Sequence, residues 1–269
     1  MQLENKVFVV TGGGNGIGRE VVLGLLARGA RVAAVDLNES GLAETVGLAG
    51  AGSANLTTHA LNVTDRQAVL ALPDEVNTAH GQVDGLLNVA GIIQPFVKLK
   101  DLDFDVMERV FNVNFWGVVN MTKAFLPSLM ERPEAAVLNV SSMGGFLPVP
   151  GQAAYGASKA AVKLLFTEAL YAESLGTNLT VTIVFPGGVG TNITENSGVE
   201  MPEVQDAKPG KGYTTTSPED AGRQIIEGLE KGAFRVVVGS DAKFMDRFSR
   251  LSPRRATELI AKKMKDLLG

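Results

Sequence analysis

The chain has 269 residues, a net charge of −4, no cysteine and two histidines, His59 and His80. Without cysteine there is no disulfide, thiolate nucleophile, iron–sulfur cluster or Cys-ligated zinc, and no metal site is expected. With 45% hydrophobic and 20% charged residues the composition is that of a globular enzyme with one large core, and no basic block precedes the C-terminal stretch, so nucleic acid is not an expected partner.

The first residues, Met1 to Lys6, run straight into the apolar segment Val7–Val10 without a secretory pattern. No apolar run approaches the roughly 18 residues of a membrane span, so a cytoplasmic protein without a transmembrane segment is expected. Strands are predicted at Val7–Val10, Arg31–Val35, Leu56–Leu61, Asp84–Val89, Ala136–Val140, Thr180–Phe185 and Arg235–Val238. They are apolar nearly throughout, the mark of strands buried on both faces. Helical patterns fall between them, at about 17–29, 39–49, 66–79, 105–131, 153–175 and 218–231. Such alternation predicts an α/β protein: a doubly wound, mostly parallel sheet of Rossmann type with helices on both faces. One long irregular stretch, 187–216, reads as a lid or binding loop.

In such a sheet ligands bind beyond the carboxyl ends of the strands. After the first strand comes Thr11-Gly12-Gly13-Gly14-Asn15-Gly16-Ile17-Gly18. Glycines here permit a tight turn and let a pyrophosphate reach the backbone, while the following helix offers free N–H groups. The second strand ends at Asp36, followed by Leu37 and Asn38. A carboxylate there accepts hydrogen bonds from both ribose hydroxyls and repels a 2′-phosphate. Arg19 is the competing cationic signal, and Asp36 outweighs it: NAD is expected, NADP less so.

Ser142 lies just past the fifth strand; Tyr155 and Lys159 follow, four apart on a predicted helix and so on one face. Transferring a hydride at a carbinol carbon requires an acid or base on its oxygen. A phenol is about three units too basic at neutral pH, roughly 4 kcal/mol, and a neighbouring ammonium with a cationic nicotinamide would lower it.

Taken together, these motifs resemble the short-chain dehydrogenase/reductase family, in its roughly 250-residue branch. The resemblance rests on the glycine loop, Asn88-Val89-Ala90-Gly91, Asn114 in Asn112–Gly117, Ser142, Tyr155-x-x-x-Lys159, and Pro186-Gly187-Gly188-Val189-Gly190-Thr191. It implies a seven-stranded sheet and an Asn114, Ser142, Tyr155, Lys159 tetrad. Tyr155 would be the acid/base, Ser142 the orienter of the substrate oxygen, and Lys159 a ribose contact and pKa modulator. Asn114 would hold a water linking Lys159 to solvent. Val189 N–H and Thr191 would fix the carboxamide, with Asn88 to Gly91 backing the adenosine. Two departures stand out: Asn62, beside Val63, replaces the usual Asp at the adenine, and Val89 replaces a second Asn. The family also implies a homodimer or homotetramer built on the helices 105–131 and 153–175.

His59, His80 and the single tryptophan, Trp116, are expected to be structural, Trp116 through packing. Phe146, Leu147, Val149, Ile193, Val199 and Met201 flank the predicted cleft and suggest an apolar substrate. Past a catalytic domain of residues 1–240, a C-terminal extension, 241–269, carries Phe244, Met245, Phe248, Leu251, Leu259, Ile260, Met264, Leu267 and Leu268 at helical spacing, split at Pro253. Such a tail resembles that of relatives acting on retinoid or steroid-like alcohols, and a helix pair packed on the body or a partner subunit is expected. The sequence thus reads as an NAD-dependent oxidoreductase of a secondary alcohol or its ketone. The alternatives are a non-catalytic NAD sensor or scaffold, which has no need of the tetrad, and a nucleotide-sugar epimerase or dehydratase, whose glycine spacing Asn15 breaks.

Overall fold

A computed structural model describes residues 1–199 and 215–264, apart from the side chain of Leu165. Seven strands, β1 Val7–Thr11, β2 Arg31–Asp36, β3 Leu56–Ala60, β4 Gly85–Asn88, β5 Ala135–Val140, β6 Leu179–Pro186 and β7 Arg235–Val238, form one sheet in the order β3-β2-β1-β4-β5-β6-β7. Every neighbouring pair is parallel. The winding reverses between β1 and β4, so a crevice opens there at the carboxyl ends.

Residue parity along β1 explains its unbroken apolar sequence. Phe8 and Val10 face one layer, with Val21, Val22 and Leu25 of α1 (Gly16–Leu26) and Ile225 and Ile226 of α9 (Pro218–Glu230). Val7 and Val9 face the other, with Val69 and Leu72 of α3 (Arg66–His80) and Met121 and Phe125 of α5 (Gly117–Met130). Alternate residues must be apolar on both faces because both are covered. Two strands depart from that expectation. β3 is only half-buried and β7 is mostly so; both are sheet edges, where one layer of cover is incomplete.

Some of the helices open on a capping side chain. Asp65 accepts from the amides of Gln67 (3.0 Å) and Ala68 (3.1 Å) to open α3, and Asn38 accepts from Gly41 N at 3.1 Å to open α2 (Glu39–Ala49). The predicted helices 105–131 and 153–175 are helical but not regular. Between α4 (Phe104–Phe111) and α5 lies a π-helical turn at Asn112–Trp116, and between α6 (Ala153–Ala161) and α7 (Ala169–Glu173) a second at Val162–Glu168. Thr167 Oγ1 donates to Val162 O, five residues back, at 2.7 Å, satisfying a carbonyl in the widened turn. Phe115 and Phe166 bring the two turns together edge to face. Trp116 departs from its expected packing: it leans on Phe115 and is 45% exposed.

Both histidines are structural, as expected. Thr57 Oγ1 lies 3.1 Å from His59 Nε2 and 2.9 Å from His80 Nε2. Burial, Arg31 and His59 hold His80 below the ordinary imidazole value. The described part of the predicted lid stretch holds one short helix, α8 (Ile193–Asn196); residues 200–214 of it, with Met201, lie outside the described residues. The C-terminal extension forms α10 (Ser240–Leu251) and α11 (Pro253–Lys263), broken at Pro253. Met245, Ala256 and Ile260 pack with Leu147, Met143 and Phe146. The extension therefore rests on the body of the domain; Leu267 and Leu268 lie outside the described residues. Phe146 and Leu147 are turned into this contact and do not line the cleft. None of the described helices is long and apolar enough to cross a membrane.

Candidate active site

A cleft of about 620 Å³ runs along the carboxyl ends of the strands across the switch point. Its walls include Gly12, Asn15, Gly16, Ile17 and Gly18 of the first loop, and Asp36 and Leu37 after β2. Asn62, Val63, Ala90 and Gly91 line its middle; Ser142, Tyr155, Lys159, Pro186, Gly187, Val189 and Thr191 line the far end. Of the catalytic and cofactor-binding residues expected from the sequence, two do not line this surface: Asn88 and Asn114.

The glycine loop is shaped by contact with its own backbone. A Cβ on Gly18 would sit 2.0 Å from Gly12 O, and Gly12 has a φ of 74°, so neither position admits a side chain. Gly14 N donates to Asp36 Oδ2 at 2.9 Å, and Asn38 N to Asp36 Oδ1 at 2.9 Å. Asp36 is thereby fixed at the rim. Arg19 is bonded within the fold. Its Nε donates to Thr45 Oγ1 (3.1 Å) and its Nη2 to Gly14 O and Glu44 Oε2 (2.7 Å), which ties the loop to α2.

Asn88 corrects a sequence expectation. Its side chain is 2% exposed and turned to the α5 layer, donating to Asn139 Oδ1 (2.8 Å) and Thr122 Oγ1 (3.2 Å). It is a core contact, not part of the cleft wall. Thr11 Oγ1, at the head of the glycine loop, accepts from Val89 N (3.0 Å) and Ala90 N (3.1 Å), which ties the end of β4 to that of β1. Asn62 is in place but with altered polarity. Its Oδ1 already accepts from Thr64 N (3.0 Å) and Thr64 Oγ1 (2.9 Å), so its amide hydrogens, not its oxygen, are left for a ligand.

At the far end, Ser142 Oγ accepts from Gly144 N at 3.0 Å, leaving its hydroxyl hydrogen to donate. Burial raises the Tyr155 phenol above its ordinary value, while Ser142 pulls the other way. Lys159 is 3% exposed and donates to Val140 O at 3.0 Å; desolvation lowers its ammonium to about 8. In both groups loss of solvent is the largest cause of the shift. Asn114 sits behind the wall, fully buried in the first π turn. Its Oδ1 accepts from Ile92 N (2.8 Å), and its Nδ2 donates to Ile92 O (2.9 Å) and Ser158 Oγ (3.0 Å). Ser158 Oγ donates in turn to Tyr155 O at 2.7 Å. One Oδ1 lone pair of Asn114 remains unclaimed for a solvent relay.

Two further residues shape this end without a sequence signal. Gln94 holds the start of α6 (below), and Asp241, in the first turn of α10, accepts from Gly188 N at 2.7 Å. A Cβ on Gly187 would lie 2.3 Å from Asp241 Oδ1, so a side chain there would push this carboxylate out of its place.

A dinucleotide-shaped cleft with a phenol, an ammonium and a hydroxyl at one end is the arrangement of a nucleotide-dependent oxidoreductase. A family model described as short chain dehydrogenase matches residues 6–201. SadH of Mycobacterium tuberculosis, described as an oxidoreductase, is 41% identical over 263 residues, 96% of this chain and 95% of SadH. A short-chain dehydrogenase/reductase from Burkholderia phymatum, solved with NAD, superposes with a TM-score of 0.83 at 25% identity, covering 94% of this chain and 96% of its own. A short-chain dehydrogenase from Burkholderia cenocepacia, solved with NADP, gives 0.80 at 25% identity, covering 97% and 99%. The chain belongs to the short-chain dehydrogenase/reductase family and is an oxidoreductase of it.

Proposed function

We propose that the protein interconverts a secondary alcohol and its ketone with NAD as the redox partner. The observation that carries this is the meeting of Ser142, Tyr155 and Lys159 on the same cleft whose other end is closed by the glycine loop and Asp36. The residues fit a dinucleotide. The loop admits no side chain where a pyrophosphate approaches, the N-terminus of α1 faces the cleft, and Asp36 presents a carboxylate. NAD, when bound, supplies the hydride acceptor or donor and, when oxidised, a positive charge.

The chain's own groups manage the oxygen. With its phenol raised by burial, Tyr155 keeps its proton at neutral pH and donates it to a carbonyl oxygen in reduction. In oxidation its phenolate accepts the hydroxyl proton. Lys159, still cationic below about pH 8, stabilises that phenolate, which is the base in oxidation and is left behind by proton donation in reduction. Ser142 donates its hydroxyl hydrogen to the substrate oxygen and holds it against Tyr155. Ile93 and Ile193 line the cleft beside these groups, which favours an apolar substrate. The amide hydrogens of Asn62 donate to an acceptor nitrogen of adenine. Val189 and Thr191 hold the carboxamide. Exposed Phe104, Trp116, Leu164 and Tyr171 on the runs α4–α5 and α6–α7 support a homodimer or homotetramer built on those helices.

The direct test is a screen of apolar secondary alcohols with NAD, followed by the absorbance of the reduced nicotinamide; no turnover with any of them and no reduction of the matching ketones would overturn the reading. NAD is expected to bind at least about tenfold tighter than NADP, roughly 1.4 kcal/mol. Asp36→Ala should remove most of that preference, and equal affinities in the unaltered protein would defeat the Asp36 assignment. Asp241→Ala should release the Gly187–Thr191 loop and raise the KM for NAD about tenfold, in line with loss of one charge-assisted hydrogen bond. An unchanged KM would mean the loop is held by its own ladder, in which Gly190 N donates to Thr216 O at 3.0 Å and Thr216 N to Gly188 O at 2.8 Å.

A further inference from the structure

Helix α6 carries Tyr155 and Lys159, yet its own N-cap residue does not cap it. Gln152 occupies that position and makes no side-chain cap bond. Capping instead comes from a residue about 60 positions away. Gln94 Oε1 accepts from Ala154 N at 2.8 Å and from Tyr155 N at 3.1 Å, the second and third amides of the helix, which an N-cap side chain ordinarily satisfies. Gln94 Nε2 donates to Gly151 O at 2.9 Å, and Gln152 Nε2 donates back to Gln94 O at 2.7 Å. Gln94 is fully buried and Gln152 is 3% exposed. These four bonds are therefore made away from water, where leaving any of them unmade is costly.

We propose that Gln94 is a positioning residue for Tyr155, an N-cap supplied from outside the helix that fixes where the phenol stands relative to the cleft. The segment that carries it supports this role. Ile92 and Ile93 line the cleft. Ile92 is held at both its N–H and its C=O by Asn114, and Ile93 N donates to Ser197 Oγ at 3.0 Å. Ser197 follows α8 directly, and Ser197 O accepts from Arg109 Nη2 at 3.1 Å. Three consecutive residues, 92 to 94, thus tie Asn114, the end of α8 and the Tyr155 helix into one cleft wall. Tyr155 is held at two backbone atoms: its N–H by Gln94 and its C=O by Ser158, which Asn114 also holds. A small shift of that backbone moves the phenol directly, and reaction rates are steep in such displacements.

The inference rests on the reading of Tyr155 as the proton-transferring group, and the test separates the two. The chain has three tyrosines, so in a Tyr171→Phe/Tyr213→Phe background the phenolate absorbance reports Tyr155 without any substrate. Gln94→Met keeps the length of the side chain and removes every polar partner. It is expected to bring the Tyr155 titration down towards the ordinary phenol value as the helix start loosens. Gln94→Glu keeps the acceptor for the two amides but adds a negative charge, and should move the titration upward by about half a unit to one unit. With cyclohexanol and longer-chain secondary alcohols, Gln94→Met should lower kcat roughly 10- to 100-fold with the NAD dissociation constant unchanged, and Gln94→Glu should recover part of kcat at high pH. Unaltered titration and kcat in Gln94→Met would overturn the proposal. So would a loss explained entirely by a smaller folded fraction, with the remaining protein titrating normally. Should Gln94→Met not fold, Gln152→Met, which removes only the donor to Gln94 O, carries the same readouts at smaller amplitude. Normal turnover in Tyr155→Phe would defeat the reading of the site itself; an inactive Tyr155→Phe beside a normal Gln94→Met would defeat the role of Gln94 alone.

Discussion

Tyr155→Phe should lower kcat by about 10³, the middle of the range for loss of a general acid or base, while the NAD dissociation constant stays within about twofold. The ring remains to fill its place against Gly144, whose added Cβ would lie 3.4 Å from Tyr155 Cε1, and only the hydroxyl is lost. That hydroxyl interacts with Ser142, 13 residues before it in the chain. Removing one half-buried hydroxyl with a single side-chain partner shifts stability by about 1 kcal/mol at most, so a fall in turnover cannot be ascribed to unfolding. The pH dependence follows from the direction of the shift. The phenol of the free protein titrates above its ordinary value, so at neutral pH it holds its proton. Reduction should therefore be flat through neutrality and fall at high pH as the proton is lost. Oxidation should rise with pH over the same limb. Both dependences should vanish with Tyr155→Phe. A variant that keeps kcat within about tenfold, or one that keeps the limb, would assign the proton transfer to another group.

What was legible in the sequence was whatever local spacing determines. Tyr155 and Lys159 are four apart on a helix, and Ser142 ends a strand, so their convergence follows from periodicity and the carboxyl-end rule alone. The doubly wound parallel sheet follows from the alternation of strands and helices. The corrections fall where the partner is distant in sequence. The partners of Arg19, Gly14 O, Thr45 and Glu44, lie on two different elements and carry no signal in the spacing. Gln94 carried no signal, since a glutamine outside any helix says nothing about which helix it caps. Asp241 was hidden for the same reason: the amide it accepts from, Gly188 N, is 53 residues away. Asn88 is the exception, because it was legible and passed over. Two-residue alternation along β4 puts it on the face of Leu86, which packs with Met121 and Phe125, and so away from the cleft. For Tyr155 and Lys159 the proximity of charge is legible from spacing, whereas the loss of solvent that dominates both groups depends on packing that spacing does not give.

Desolvation makes Lys159→Met the sharpest separation of function from scaffold. Lys159 is 3% exposed and its ammonium has one hydrogen-bond partner, Val140 O at 3.0 Å. Burial lowers it from 10.5 to about 8, a depression of some two and a half units, or roughly 3 kcal/mol at full size. Because the folded value lies below the unfolded one, folding disfavours the proton. The penalty stands in full below about pH 8, where the side chain is charged in both states. It shrinks as pH rises through the interval up to 10.5 and is gone above it. Methionine has similar length and no charge to bury. After allowing for about 1–2 kcal/mol from the lost bond to Val140 O, Lys159→Met should be about 1–2 kcal/mol more stable than the parent at pH 7, with the advantage fading towards pH 10. Turnover should fall by roughly 10²–10⁴, since the phenolate loses its neighbouring cation. Thermal unfolding across this pH range, read beside kcat for the same preparation, tests both halves. A variant less stable than the parent at pH 7 would show that the buried ammonium is held by more than Val140 O, and that the site imposes no stability cost on this fold.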